Sequence, residues 1–261
     1  MKYNNIKVEQ LKNGISLITV CREKSLNVLN TETLFELRDA VARDGDNSEV
    51  RSVLLTGAGK KAFIAGADID EMKGLTVEEG VEFSKIGHEV TKLLQIIPKP
   101  TVAVVGGYAL GGGLELAIAC DIVLASENAV FGLPEVCLGI TPGFGGTFRL
   151  SKHVGIARAK ELIFTGRKVE AKEAYDMGIV NQVYAQKDLL NKAIEIGEVM
   201  SANSGSAIRV AKKLLNEHAE QSGVDIKMDA EAYEFGNLFQ SADQKEGMNA
   251  FVEKRKPVFQ H

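Results

Sequence analysis

A short uncharged run, Thr101-Val-Ala-Val-Val105, feeds directly into Gly106-Gly-Tyr-Ala-Leu-Gly-Gly-Gly-Leu-Glu115, and an apolar segment continues to Cys120. Short β-branched runs are strand-like, and glycine clusters mark turns where the backbone must pass close to something else. The stretch therefore reads as buried strand, glycine turn and apolar helix, the joint from which α/β folds are built. The run without charge from Thr101 to Leu114 stops at Glu115, short of the roughly 18–20 apolar residues needed to span a bilayer.

The rest of the chain repeats this alternation. Ile6–Leu11 and Ile15–Val20 are strand-like and are separated by Lys12-Asn13-Gly14, whose Asn-Gly pair signals a hairpin. After the polar loop 21–30, Asn30 or Thr31 can cap a helix carrying Leu34, Leu37, Ala40 and Val41 at helical spacing. Ser52–Thr56 is a further strand, and Thr76–Ile97 a long helix with Val81, Phe83, Val90, Leu93 and Leu94, stopped by Pro98. Helices are predicted from Ile156, closed by Gly166, and from Glu170, closed by Gly178, followed by a strand over Ile179–Tyr184. Beyond Asp188 the pattern is helical, in segments 188–201, 206–221, 224–239 and 242–254. This is α/β organisation over residues 1–185 with a helical segment over 186–261.

Several classes fall away. A net charge of −4 lacks the basic excess of a nucleic-acid binder. Cys21, Cys120 and Cys137 are scattered, without a CxxC pair, and His88, His153, His218 and His261 are isolated, so the expectation is no metal and no disulfide framework. The opening MKYNNIKVEQ is polar and holds no apolar signal core, and the scattered cysteines make a reducing cytoplasm the simpler reading.

Chemistry concentrates at three places. Gly111-Gly112-Gly113 opens a helix-like run whose first amides lack partners within the helix. Glycine lets a substrate oxygen reach such amides, and an oxyanion donor is worth about 3–4 kcal/mol in a transition state. No GxGxxG or GxxxxGK[ST] phosphate loop occurs, and close packing is the bland reading of the same glycines. A second donor must come from elsewhere; Ala65-Gly66-Ala67, just after the apolar run Ala62-Phe-Ile64, is the best source, with Asp68 as the N-cap of a turn as its structural explanation. Glu115 follows the glycines by two residues, and Glu135 follows Pro134 in a segment poor in charge. Singly, each is as well explained by a salt bridge or solvent; together with two amide-bearing segments they fit proton traffic beside a carbonyl.

The segments AFIAGADIDEM (62–72), GGYALGGGLELAIACDI (106–122) and FGLPEVCLGITPGFGGTFRL (131–150) closely resemble the crotonase, or enoyl-CoA hydratase/isomerase, family, and the similarity continues to EKRKPVF near the C-terminus. Within it the chain looks most like the short-chain enoyl-CoA hydratases. The resemblance implies a spiral of ββα turns with C-terminal helices for trimer packing and a hexamer built as a dimer of trimers. It also implies an acyl-CoA substrate and no cofactor beyond that coenzyme A. It assigns the oxyanion amides to Ala67 and Gly112 and the catalytic carboxylates to Glu115 and Glu135, with Ala65, Asp68, Ile69 and Asp70 as neighbouring substrate-binding positions. Lys24, Lys254 and Lys256 become candidates for the CoA phosphates, although exposed lysines are usually only solvated.

Both glutamates at hydratase positions favour a hydratase over a Δ3,Δ2-enoyl-CoA isomerase or another acyl-CoA lyase. They weigh, with the acidic charge, against a non-catalytic acyl-CoA or RNA binder. Two departures stand out. Glu23 and Val28 replace the Pro and Ala of an RPxxxNAL pattern, and Phe148 replaces Gln in GGTQRL, with consequences for packing or for the acyl pocket.

Overall fold

The backbone turns three times through the same strand–strand–helix step. In the computed structural model, which describes residues 3–218 and 241–259 together with 228, 233 and 235–237, β1 (Ile6–Gln10) and β2 (Ile15–Val20) form an antiparallel hairpin. Asn13 and Gly14 between them both take positive φ, as the Asn-Gly signal predicts. The first turn comprises β3 (Ser52–Gly57), β4 (Ala62–Ile64), the short α2 (Ile69–Met72) and α3 (Val77–Ile96). Before it lies α1 (Thr31–Asp46). The second turn is β5 (Thr101–Val105), β6 (Tyr108–Leu110) and α4 (Gly112–Ala117); the third is β7 (Ile122–Ser126), β8 (Val130–Gly132), a 3-10 turn Pro134–Leu138 and α5 (Gly146–Val154). Then follow α6 (Ile156–Thr165), β9 (Val169–Glu170), α7 (Ala171–Met177), β10 (Gln182–Tyr184), α8 (Leu189–Ser201), α9 (Gly205–His218) and α10 (Ala242–Val252).

The first strand of each turn joins one sheet and the second strand joins another. The described strands make a six-stranded sheet, β1-β2-β3-β5-β7-β10, and a four-stranded sheet, β4-β6-β8-β9. β4, β6 and β8 run parallel in near register, with Ile64 opposite Ala109 and Leu110 opposite Gly132, so their C-terminal ends lie side by side. This is the ββα spiral that the resemblance implies.

Local chemistry accounts for the elements. The Asn30 side chain accepts the Thr33 N–H and caps α1, whose Leu34, Leu37, Ala40 and Val41 are buried. Thr76 and Glu79 form a reciprocal capping box on α3. Gly166 and Gly178 end α6 and α7 in the left-handed region.

Two expectations are corrected. The strand over 179–184 is only Gln182–Tyr184, because Ile179 and Val180 donate to Ala174 O and are buried against α7 instead. Residues 146–154, assigned no element from the sequence, form α5. Val81 is exposed, whereas Phe83, Val90 and Leu94 face the core.

The C-terminal segment is not uniform. α8 seals the six-stranded sheet, Leu189 and Ala193 packing with Ile15, Leu17, Leu54, Val102, Val104 and Leu124. α9 docks on the core through Lys212, whose ammonium meets Asp121 at 2.7 Å and donates to the Leu94 and Lys99 carbonyls. Most of the helix expected over 224–239 lies outside the described residues, as does the end of the segment 206–221. Among the described residues no helix is long and apolar enough to cross a membrane.

Candidate active site

At the C-terminal ends of β4, β6 and β8 a cavity of about 890 Å³ opens, walled by apolar side chains including Met72, Leu75, Phe83 and Phe144. Its size and lining suit a small organic ligand. Ala65, Ala67, Ile69, Gly112, Glu115 and Glu135 line it, so six of the residues singled out in the sequence meet there.

Two glycine-bearing loops abut at its floor. A side chain on Gly111 (φ +50°) would place its Cβ 3.7 Å from Gly66 Cα. In the first loop Leu29 bridges Ala67: Leu29 N–H donates to Gly66 O, and Asp68 N–H donates to Leu29 O. In a parallel bridge the residue between those two partners turns its own amide to the other side, so the Ala67 N–H points away from Leu29. In the second loop Gly112 is the first residue of α4, and first-turn amides have no acceptor one turn back. The glycines are sterically required. A Cβ on Gly113 would lie 2.0 Å from Ile64 O, and one on Gly112 would lie 2.9 Å from the Phe144 ring.

The two carboxylates occupy different surroundings. Glu115, 1% exposed on α4, accepts at Oε1 from the amides of Phe144 (2.8 Å) and Gly146 (2.7 Å). Burial pushes its pKa up, opposed by those amides, by the Arg149 charge and by a third amide at Gly143. Glu135, 8% exposed in the 3-10 turn, accepts no hydrogen bond from a described residue at either oxygen. Burial and then the neighbouring Glu115 charge raise its pKa to about 7. Gly111 fits beside it, since a Cβ there would stand 3.2 Å from Glu135 Oε1. One wall of the site thus holds an anchored carboxylate, the other a carboxyl poised to exchange its proton near neutrality.

The remaining sequence candidates lie apart from the cavity lining. Asp68 precedes α2 at its N-cap position but caps nothing; its carboxylate pairs with Arg22 at 3.0 Å. Asp70 points outward from α2 and pairs with exposed Lys73 at 2.8 Å. Neither lines the cavity: α2 turns Ile69 and Met72 toward it, while Asp70 faces solvent and Glu71 accepts from the backbone and hydroxyl of Thr31 at the start of α1. Lys24, Lys254 and Lys256 are exposed and line none of it. Phe148 also lies outside, half exposed with its ring under the Arg149 guanidinium at 4.6 Å, so the exchange for Gln acts on packing. Where the first loop departs from the family pattern, buried Asn27 holds the frame. Its side chain donates to Ala58 O and Ala62 O and accepts from Arg22 N–H. Among the described residues no group of three or more His, Cys, Asp or Glu gathers to hold a metal.

Sequence reasoning missed the Phe144 and Gly146 amides. The spacing of Gly146, Leu150 and Val154, four residues apart and all buried, is the signal for α5 that would have placed them at a helix start.

A sequence model of the family described as Enoyl-CoA hydratase/isomerase matches residues 10–261. The chain is 45% identical over 256 residues to the Short-chain-enoyl-CoA hydratase of Clostridium acetobutylicum, covering 98% of this chain and 97% of that one. It is 44% identical over 259 residues to the Crotonyl-CoA hydratase of Syntrophomonas wolfei, with 99% of both covered. A crystal structure of the enoyl-CoA hydratase of Bacillus anthracis superimposes with a TM-score of 0.95 at 38% identity, covering 98% of this chain and 99% of that one.

Proposed function

The chain belongs to the enoyl-CoA hydratase/isomerase family, and from that premise we propose that it reversibly hydrates short-chain trans-2-enoyl-CoA, with crotonyl-CoA as the type substrate. The observation that carries the reading is the unequal carboxylate pair across one apolar cavity.

The thioester oxygen lies between the amides of Ala67 and Gly112. Water bound between the glutamates loses a proton to ionised Glu115 as its oxygen bonds to C3. The C2=C3 π electrons move toward the thioester oxygen, where the two amides stabilise the developing charge. Protonated Glu135 then delivers a proton to C2, and a proton passing from Glu115 back to Glu135 restores the starting state. The anchored, N–H-bonded carboxylate suits the base, and the unpartnered one near pKa 7 suits the acid. The substrate brings coenzyme A, and no further cofactor enters the scheme.

The same proposal includes a hexamer, as a dimer of trimers packed through the segment after α8, where Leu215 and Met248 expose large apolar surface. A cytoplasmic location accords with the three free cysteines. Light scattering on the purified chain tests the oligomer; a monomer would remove that part.

Crotonyl-CoA tests the activity. Its conjugated enoyl-thioester absorbance should fall on addition of enzyme, giving 3-hydroxybutyryl-CoA. No change at high enzyme concentration sinks the reading, and turnover of a 3-enoyl-CoA alone replaces it with isomerisation.

A further inference from the structure

The segment that holds Glu115 is itself held. Ser84 Oγ on α3 donates to Gly143 O at 2.6 Å. That carbonyl belongs to the same peptide group as the Phe144 N–H, which donates to Glu115 Oε1. Polarising the carbonyl strengthens the amide as a donor, so the hydroxyl acts on the carboxylate through the intervening peptide. The next peptide is fixed from two sides. Phe144 O accepts from Thr91 Oγ1 of α3, whose one proton also faces His88 O at 3.1 Å, and from Arg149 Nη1 of α5, each at 3.0 Å; its peptide carries the Gly145 N–H, so these bonds fix the backbone between the two amides that hold Glu115. Arg149 is steadied in turn by Gln95 Oε1.

Helical spacing makes α3 the seat. Ser84, Gly87 and Thr91 share one face, at i, i+3 and i+7. The Phe144 ring fills the gap at Gly87, where a Cβ would come within 2.1 Å of it. The Phe83 and Phe144 rings also meet, with centroids 5.5 Å apart.

We infer that Thr91, with Ser84 and Arg149, is a positioning residue for Glu115: it aims the Phe144 and Gly146 amides at the carboxylate and so keeps that group in place and ionised. Thr91 is fully buried and lies outside the cavity lining, so it acts through the backbone. The charged groups that bear on Glu115 are Glu135, from the 3-10 turn, and Arg149, from α5. α3 itself brings His88, whose pKa burial and then the Arg149 charge lower, toward the neutral form.

The role in turnover rests on the hydratase reading, so the test has one readout that needs no turnover. The carboxyl infrared band abolished by Glu115→Gln is followed across pH in the wild type, in Thr91→Val and in Thr91→Ser. Loosening the backbone between the two donor amides lengthens their bonds to the carboxylate and favours the protonated form, so the Thr91→Val band should titrate at higher pH by about half a unit or more. Thr91→Ser, which retains the hydroxyl, should restore the wild-type titration. The acid limb of kcat for crotonyl-CoA should move the same way, with KM little changed. A Thr91→Val band that titrates with the wild type overturns the inference, whether or not the chain turns over. So does a shift that Thr91→Ser shares. Absence of wild-type turnover together with a shifted band would instead remove the hydratase reading and leave the positioning role standing.

Discussion

The two walls of the cavity contain the same acid and treat it in opposite ways. Segment 143–146 meets Glu115 with two amides and is braced by side chains from α3 and α5. Segment 134–140 carries Glu135 on a short 3-10 turn. Beyond Glu135, residues 136–141 are exposed, and the carboxylate accepts nothing from the described residues. A buried carboxylate with donors is held in one place and can remain charged; one without donors is costly to ionise and gives up its proton near neutrality. Environment, not residue type, sets the two carboxylates apart.

That contrast can be broken by substitution. The largest expected effect is on turnover: Glu115→Gln and Glu135→Gln should each lower kcat about 10²–10⁴-fold while acyl-CoA still binds. Stopped-flow hydration with a parallel binding titration checks this, and near-wild-type kcat in either variant removes that residue from the chemistry. Gly113→Ala comes next. Its Cβ would sit 2.0 Å from the Ile64 carbonyl, and no flexible side chain can give way, so the two loops must part. The variant should unfold at lower temperature, by the equivalent of about 1–3 kcal/mol, with activity lost beyond the fraction unfolded. A wild-type Tm would show that the loops are not packed as described.

A pH effect on stability follows from Glu135. Its folded-state pKa of about 7 lies above the ordinary value of 4.5. Between those values the folded chain keeps a proton that the unfolded chain has released, so this group's contribution to stability is lost as pH rises through that window. Glu135→Gln should therefore raise Tm at about pH 8, and the gain should shrink toward about pH 5. Calorimetry at both pH values checks it; a gain independent of pH would mean the carboxyl is not held protonated. The smallest effect is expected at Asp70, whose carboxylate pairs with Lys73 in solvent. Asp70→Ala should leave both Tm and kcat/KM unchanged, and a fall in kcat/KM would return it to the site.

How much of this could be read in advance depended on whether the cause was local. Asn30 capping α1, the positive φ of Asn13-Gly14 and the glycine stops at 166 and 178 are decided within a few residues, and the sequence pattern shows them. Glu115 and Glu135 could be picked out because a charge between glycines and apolar residues is conspicuous. The anchoring of Glu115 could not: its donors lie 29 and 31 positions away, and they are backbone amides, which every residue but proline carries. Thr91 was invisible for the same reason, as a hydroxyl within a helix says nothing of a carbonyl 53 residues on. Asp68 shows the converse error. Its local pattern suits an N-cap, and a distant arginine takes it instead.

The parallel pairing of β4, β6 and β8 gives the site its scale. Each strand hands over one segment of the cavity lining as it ends: Ala65–Ala67, then Gly111–Glu115, then Pro134–Glu135. Neighbouring strands are held about 4.8 Å apart by their own hydrogen bonds. The ladder is thus a ruler, and the distance between functional groups is measured in strand spacings however long the chain between them. Length added at the helix side of a turn, as between Met72 and Val77, leaves that measurement alone. One residue removed between Tyr108 and Gly112 shifts an entire rung, and every group beyond it would face the wrong atom.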